Sequence, residues 1–470
     1  MTDLAGQPWL PSARSVPRVG VIRQLFEAPV EAEPESAAER ETAAVLQALE
    51  RPPGPVAVGV GSRGVANLEA LVRGVVRALR RAGWDPFIVP AMGSHGGATA
   101  AGQTEVLAGY GVTEAGVGAP VRAGMATVVA DEVEGLPVHV DALAARAGAV
   151  FLISRVKPHT DFRGRWESGL AKMAAIGLGK QAGAQVIHSA GVPGLRDLMP
   201  RAARLLAGSG LLLGGLAVVE NQRDQTALVR GVPASGIAAE LEAELLVRAR
   251  ELMPRLPFDR LDVLVVDRMG KDVSGTGLDS NVLNRMRIVG EPEPEGLHIA
   301  AIAVLDLTAA SHGNAIGVGL ADFIPQRLRR RIDAGATYAN SLTAGIVGLE
   351  RAKIPMTMPT DRHAVLAAIA ARGRPAGEPL ELAWIADTLH TEVLAVSEPL
   401  WERAAGRSDL ERLTEPRPMP FSAAGRLSPL NGLWPVPRAR EAPEPGGRRS
   451  AAPRPTRSRA RPAARRPGRA

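Results

Sequence analysis

Histidine and lysine side chains that follow apolar runs offer the chemistry in this sequence. His95 stands in Gly93-Ser94-His95-Gly96-Gly97, directly after the run Pro86–Met92. His159 lies in Lys157-Pro158-His159-Thr160-Asp161, after the run Ala149–Ser154. Imidazole titrates near neutrality and can take or give a proton. Two histidines on separate loops therefore suit acid–base work on two sides of one substrate. Lys172 closes Ser168-Gly169-Leu170-Ala171-Lys172, where a lone amine suits covalent attachment of a cofactor. His188, sixteen residues further on, is a borderline-soft metal ligand. Arg63 follows Val56–Val60, and Asp272, Asp279, Asn281, Asn284 and Arg287 follow Leu261–Asp267. Plainer roles exist for each residue taken singly. His95 could donate to backbone in a tight turn, and His188 could be a satisfied core histidine. His139, His298, His312, His363 and His390 read as structural or surface residues. Gly59-x-Gly61 with Gly64 lacks the spacing of a dinucleotide fingerprint.

These residues need elements to hold them, and the apolar periodicity supplies a plan. Leu68, Leu71, Val72, Val75 and Leu79 repeat with helical spacing between the strand-like runs at 56–60 and 86–92. That strand–helix alternation favours a parallel sheet with crossover helices. It continues with strands at 149–154 and 216–220 and a helix near 198–207. After Pro254 and Pro257 it restarts, with strands at 261–267, 298–306, 381–386 and 392–396. Helices are expected at 33–50, 323–334 and 362–372. The expectation is an α/β protein of two domains, residues 17–254 and 258–414, each a mainly parallel sheet flanked by helices. Loops beyond the carboxyl ends of such strands bind ligands, so the active site should lie in the cleft between the domains. From 415 to 470 the Pro/Arg/Ala bias removes any packing pattern, and a disordered tail is expected.

The charge narrows the function classes. The formal charge is +7, but residues 438–470 hold eleven arginines and two glutamates, a net +9 that leaves −2 for residues 1–437. A near-neutral body with 3% aromatic content argues against a nucleic-acid-binding core. The chain has no cysteine, which removes thiolate nucleophiles and Cys-based metal sites. No signal pattern and no apolar run near the roughly 18 residues of a membrane span is present, so the cytoplasm is the default location. Of the 56 cationic residues only five are lysine: 157, 172, 180, 271 and 353. Three of them fall between 157 and 180, in a chain that otherwise uses arginine.

In order and spacing these motifs resemble the nickel-pincer lactate racemase family, from about Gly59 to the end of the body. The motifs are Ser62-Arg63, Gly-Ser-His95-Gly-Gly, Pro-His159, Ser168-Gly169-Leu-Ala-Lys172, His188 and Asp279-x-Asn281-x-x-Asn284-x-x-Arg287. The resemblance implies an isomerase, a racemase or epimerase inverting C2 of a 2-hydroxy acid by transient hydride transfer. It implies a pyridinium mononucleotide bearing thioamide and thiocarboxylate groups that hold nickel in a pincer. Lys172 would carry that cofactor, with Arg63, Ser168 and Gly169 around it, and His188 would complete the nickel coordination. His95 and His159 would be the acid–base pair, and Arg63, Asn284 and Arg287 would hold the substrate. Proteins that build the cofactor would be partners, with no specific nucleic acid and no membrane.

Several positions depart from the family pattern. The arginine motif reads Val60-Gly-Ser-Arg63 rather than Asp-x-Thr-Arg, and Leu283 stands where an aromatic is common. Asn284 and Arg287 replace Gln and Lys, which enlarges the pocket and keeps the charge. Lys157, Asp161, Arg163, Arg165 and Trp166 make the third loop polar, which favours a larger, hydroxylated or acidic substrate such as a sugar acid over lactate. The competing interpretation is a non-catalytic α/β protein that binds a phosphorylated or carboxylated metabolite. A third is an anionic-surface binder acting through the Arg-rich tail.

Overall fold

The computed structural model of the chain describes residues 16–62, 64–375 and 377–433. Its strands begin with β1 (Arg18–Gln24), β2 (Pro55–Val60) and β3 (Asp85–Pro90), then a hairpin of β4 (Thr127–Val133) and β5 (Leu136–Asp141). Next come β6 (Val150–Arg155), β7 (Leu212–Glu220) and β8 (Thr226–Pro233). The rest are β9 (Arg260–Val266), β10 (His298–Val304), β11 (Phe323–Pro325), β12 (Met356–Met358) and β13 (Leu382–Ile385). β14 (Val393–Ser397), β15 (Leu410–Arg412) and β16 (Arg417–Pro418) complete the order. One sheet runs β3-β2-β6-β7-β8, parallel except for β8. The other runs β12-β11-β10-β9-β13-β14-β1-β15, with β16 also on β1. It is parallel from β12 to β13 and antiparallel beyond. The protein is thus mixed α/β with mainly parallel sheets flanked by helices.

The residue pattern explains these elements. Strands covered on both faces read as continuous apolar runs, as in Val56–Val60 and Val263–Val266, all buried. Alternation still sorts their side chains between the two faces. Val56, Val58, Val60, Phe151 and Ile153 join one core, while Ala57, Val150 and Leu152 join the other. The helix Leu68–Arg81 buries Leu68, Leu71, Val72, Val75 and Leu79, the stripe read from the sequence. On that helix, a Cβ at Gly74 would collide with the Glu35 carbonyl, so the helix Pro34–Gln47 rests on bare backbone there.

Three segments differ from expectation. The segment before the first expected helix contains a strand that was not expected, β1, which leaves its sequence neighbours to pair with β14 and β15 in the second sheet. Trp401 packs where a Cβ at Gly20 would stand, so long-range contact makes this strand. Phe323–Pro325 is strand β11 rather than the start of a helix, because it pairs in parallel with both β10 and β12 and is fully buried there. Residues 415–433, expected in the disordered tail, are placed against the body. Met419, Leu427 and Leu430 are buried, and the Leu430 N–H donates to Asp267 Oδ2 at 2.7 Å. Three apolar anchors among the prolines are enough to dock the segment. The Arg-rich stretch 438–470 lies outside the described residues. No helix among the described residues is long and apolar enough to cross a membrane.

Candidate functional site

The loop between β6 and the turn carrying Lys172 is shaped by acids with little or no solvent contact. Glu167 is fully buried and accepts from the N–H groups of His159 (2.8 Å) and Gly164 (3.0 Å), and from Arg250 (2.7 Å). Ser168 Oγ closes the base of the loop, donating to the Lys157 carbonyl and accepting from the Lys157 N–H at 2.8 Å. Glu242 then caps the turn Leu170–Lys172, accepting from Ala171 N–H at 3.0 Å and Ala238 N–H at 2.8 Å. Gly169 allows this: its φ is +90°, and a Cβ there would lie 2.5 Å from Glu242 Oε1. Burial pushes the Glu242 carboxyl up to about 7, against the pull of bonds from the Ala238, Ala171 and Leu170 N–H groups. After Lys172 the helix widens into a π-type turn over Met173–Gly177, a geometry common at functional sites.

This frame brings Lys172 Nζ to 2.7 Å from His159 Nε2. An imidazolium and an ammonium are both donors only, so at least one of the two lacks its extra proton when this bond forms. The Asp161 N–H donates to His159 Nδ1 at 3.1 Å, and the ring packs on Phe162 with centroids 4.8 Å apart. Asp161 in turn is held by Arg351, which also donates to the carbonyls of Thr160 (2.6 Å) and Met286 (3.1 Å). Burial would raise the Asp161 carboxyl, but His159, Arg351, the Thr160 hydroxyl and Lys172 bring it down to about 2.

His95 sits on the loop after β3, and its Nδ1 is hydrogen-bonded to Ser62 Oγ on the loop after β2. The loop leans on the turn that follows Lys172. Gly93 N–H donates to the Gly177 carbonyl at 3.2 Å, and a Cβ at Gly61 would lie 3.3 Å from Met173 Sδ. His188 is near the end of the helix Lys180–Ser189. It is accessible to solvent, yet protein packed around the ring lowers its pKa. The Lys172 charge lowers it further, and Asp161 opposes both. A neutral imidazole is the form that ligates metal.

The predicted residues therefore divide. His159 and Lys172 are in contact, His188 lies within their electrostatic reach, and the loop that carries His95 touches the adjoining turn through Gly93. Ser168 and Gly169 act on the backbone that presents Lys172. Asn284 turns its amide to the carbonyls of Pro294, Glu295 and Leu297 at 3.0–3.2 Å. Arg287 pairs with Asp322 and donates to the Gly319 carbonyl. Both side chains are engaged by these folding contacts. Arg63 lies outside the described residues. The polarity of the third loop is also used internally. Arg165 pairs with Glu240, Trp166 donates to the Ala239 carbonyl at 2.9 Å between the cations of Arg165 and Arg204, and Asp161 is taken by Arg351. A hydroxylated substrate is not needed to explain it.

Sequence reasoning passed over Glu167, Glu242 and Arg351, which build the frame. Two shallow hollows lie elsewhere, one against Leu136, His139 and Ile187, the other against Arg155, Lys157 and Asp224. His95, His159, Lys172 and His188 line neither. Among the described residues no group of three or more His, Asp or Glu side chains could hold a metal ion by itself.

No family model and no curated protein matches the chain. It is similar to a structural-genomics protein from Thermotoga maritima, at 13% identity over 76% of this chain and 90% of that one, with a TM-score of 0.42. It is similar also to the lactate racemase apoprotein from Thermoanaerobacterium thermosaccharolyticum, at 11% identity over 78% and 84% of the two chains, with a TM-score of 0.39. Likenesses of this size leave the residues themselves to carry a functional conclusion.

Proposed function

We propose that the chain is a 2-hydroxy acid racemase or epimerase whose Lys172 carries a nickel-pincer nucleotide. One arrangement supports this: the Lys172 amine lies 2.7 Å from His159 Nε2, with the His188 imidazole within electrostatic reach and the loops of Ser62 and His95 touching the following turn through Gly61 and Gly93. The donor set suits such a group. A primary amine in a rigid turn can be acylated, and a nickel held chiefly by organic sulfurs needs one imidazole, which His188 provides. When bound, the group supplies a hydride acceptor that can return the hydride to C2.

The remaining work is proton transfer by the chain's own side chains. Removing hydride from C2 requires the hydroxyl proton to leave, and inversion requires a base on each side of the carbon. Ser62 holds His95 at Nδ1, so proton exchange there falls to Nε2. At His159 the Asp161 N–H occupies Nδ1, so Nε2 is again the exchanging atom. Acylation would turn the Lys172 amine into a neutral amide and remove a cation from beside that atom.

The test is expression with a cofactor-supplying pathway, followed by intact mass and nickel analysis. A Lys172-dependent adduct with about one nickel per chain is expected, absent in Lys172→Ala. No adduct under conditions that load a known member would favour a metabolite-binding protein instead. With C2-deuterated substrate, the loaded enzyme should turn over more slowly and keep its label.

A further inference from the structure

Lys180 is one of five lysines, and it is fully buried with no part in the chemistry above. Its ammonium donates to the Pro90 carbonyl and to Gln103 Oε1 at 3.2 Å, and forms an ion pair with Asp141 Oδ2 at 2.9 Å. Asp141 is itself fixed, because its other oxygen caps the helix Ala142–Ala147 through Leu143 and Ala144 N–H groups at 2.7 and 3.1 Å. The pair thus neutralises a buried charge, which burial alone would disfavour. An ion pair could do that anywhere in the core.

Its location is what matters. Pro90 ends β3, and the chain runs on from it into the His95 loop. Gln103 lies on the helix after that loop, and its Nε2 donates to the carbonyls of Gly93 (2.9 Å) and His95 itself (3.2 Å). Loop and helix are in backbone contact, since a Cβ at Gly96 would lie 2.6 Å from Gln103 N. Lys180 also begins the helix that carries His188, with φ at +53°. One ammonium therefore ties the strand leading into the His95 loop, the helix leaving it and the start of the His188 helix. Lysine suits this junction, because a compact tetrahedral ammonium can donate to two acceptors and still face a carboxylate, whereas a guanidinium spreads its donors in one plane.

We propose that Lys180 is a positioning residue that, through Gln103, sets His95 relative to Lys172 and His188. The proposal rests on the assignment of His95 as an acid–base residue, and its test separates the two. Gln103→Glu keeps an oxygen for Lys180 while removing the two N–H donors to Gly93 and His95. Lys180→Met removes the ammonium at similar length and tests the same link from the other end, at a cost in stability. In the full-length chain without cofactor, the histidine ring nitrogens are observed by NMR. The His95 Nδ1 signal, displaced in the wild type by Ser62, should move toward that of a free imidazole in both variants, with His363 unchanged. In the loaded enzyme, kcat for a 2-hydroxy acid should fall about tenfold or more with KM held within about twofold, as expected when a reacting group is misplaced. Unchanged His95 signals in Gln103→Glu would overturn the proposal, even if Lys180→Met moved them. If the signals move but no 2-hydroxy acid is turned over by the wild type, the racemase assignment fails and the positioning link stands.

Discussion

Replacing Glu242 with glutamine should make stability respond to pH in a way that can be calculated. Raising this carboxyl from 4.5 to about 7 means that the folded chain binds the proton more tightly than the unfolded one. Stability from this group is therefore full below pH 4.5, falls as pH rises through about 7, and is level above. At roughly 1.4 kcal/mol for each tenfold change in proton affinity, the whole cost of carrying the charge is about 3 kcal/mol. Between pH 5 and pH 8 about 2.5 kcal/mol of it develops. An amide cannot ionise, so Glu242→Gln should lack this slope. The variant pays at every pH instead, because one amide oxygen cannot serve the N–H groups of Ala238, Ala171 and Leu170, a loss of about 1–3 kcal/mol. Urea denaturation of both proteins from pH 5 to pH 8, followed by tryptophan fluorescence, gives the difference directly. The variant should be the weaker at pH 5 and gain about 2.5 kcal/mol on the wild type by pH 8. Asp267, whose carboxyl burial also raises to about 7, titrates in both and cancels. A constant difference across that range would refute the reasoning. The same variant should load Lys172 less completely, since the turn that presents it has lost its cap.

Arg351 and Arg287 give contrasting expectations. Arg351 is 1% exposed, and Arg351→Met should cost about 2–3 kcal/mol, because it removes the ion pair to the partly exposed Asp161 carboxylate and the bonds to the Thr160 and Met286 carbonyls. In the wild type that carboxyl sits at about 2 rather than 3.8, so its stabilisation, about 2 kcal/mol, is present above pH 3.8 and lost as pH falls through 2. Acid denaturation of the variant should show a flattened dependence there. Arg287→Ala removes a half-exposed pair with Asp322 and should cost about 1 kcal/mol in a urea melt, with KM for a 2-hydroxy acid within about twofold. A large rise in KM would show that this arginine reaches the substrate carboxylate.

The legible part of the fold consists of elements whose signal is local. Val56–Val60 and the Leu68–Leu79 stripe could be read because burial on both faces, or on one helical face, forces a composition that needs no knowledge of the partner. β1 and β11 could not, since seven and three residues carry too little pattern and their burial comes from β14, Trp401 and β12, far away in the chain. The candidate site divides in the same way. Lys172, His159 and His188 stood out by type and spacing, whereas Glu167, Glu242 and Arg351 look like ordinary surface charges on amphipathic segments. Lys180 had a signal, the scarcity of lysine, but nothing local could separate it from Lys172.

The amino-acid order alone determined which segments are strands buried on both faces, which loops follow them, and which nucleophilic and titratable side chains those loops hold. Hydrophobic periodicity acts over a few residues and is written in the chain. Tertiary structure decided which charges are buried and against what. It turned Arg287 toward Asp322 and Asn284 toward backbone, set the Lys172 amine on His159, and placed an ammonium beneath the His95 loop. A buried charge is tolerated only where partners from distant segments meet it, and that meeting exists only once the chain has folded.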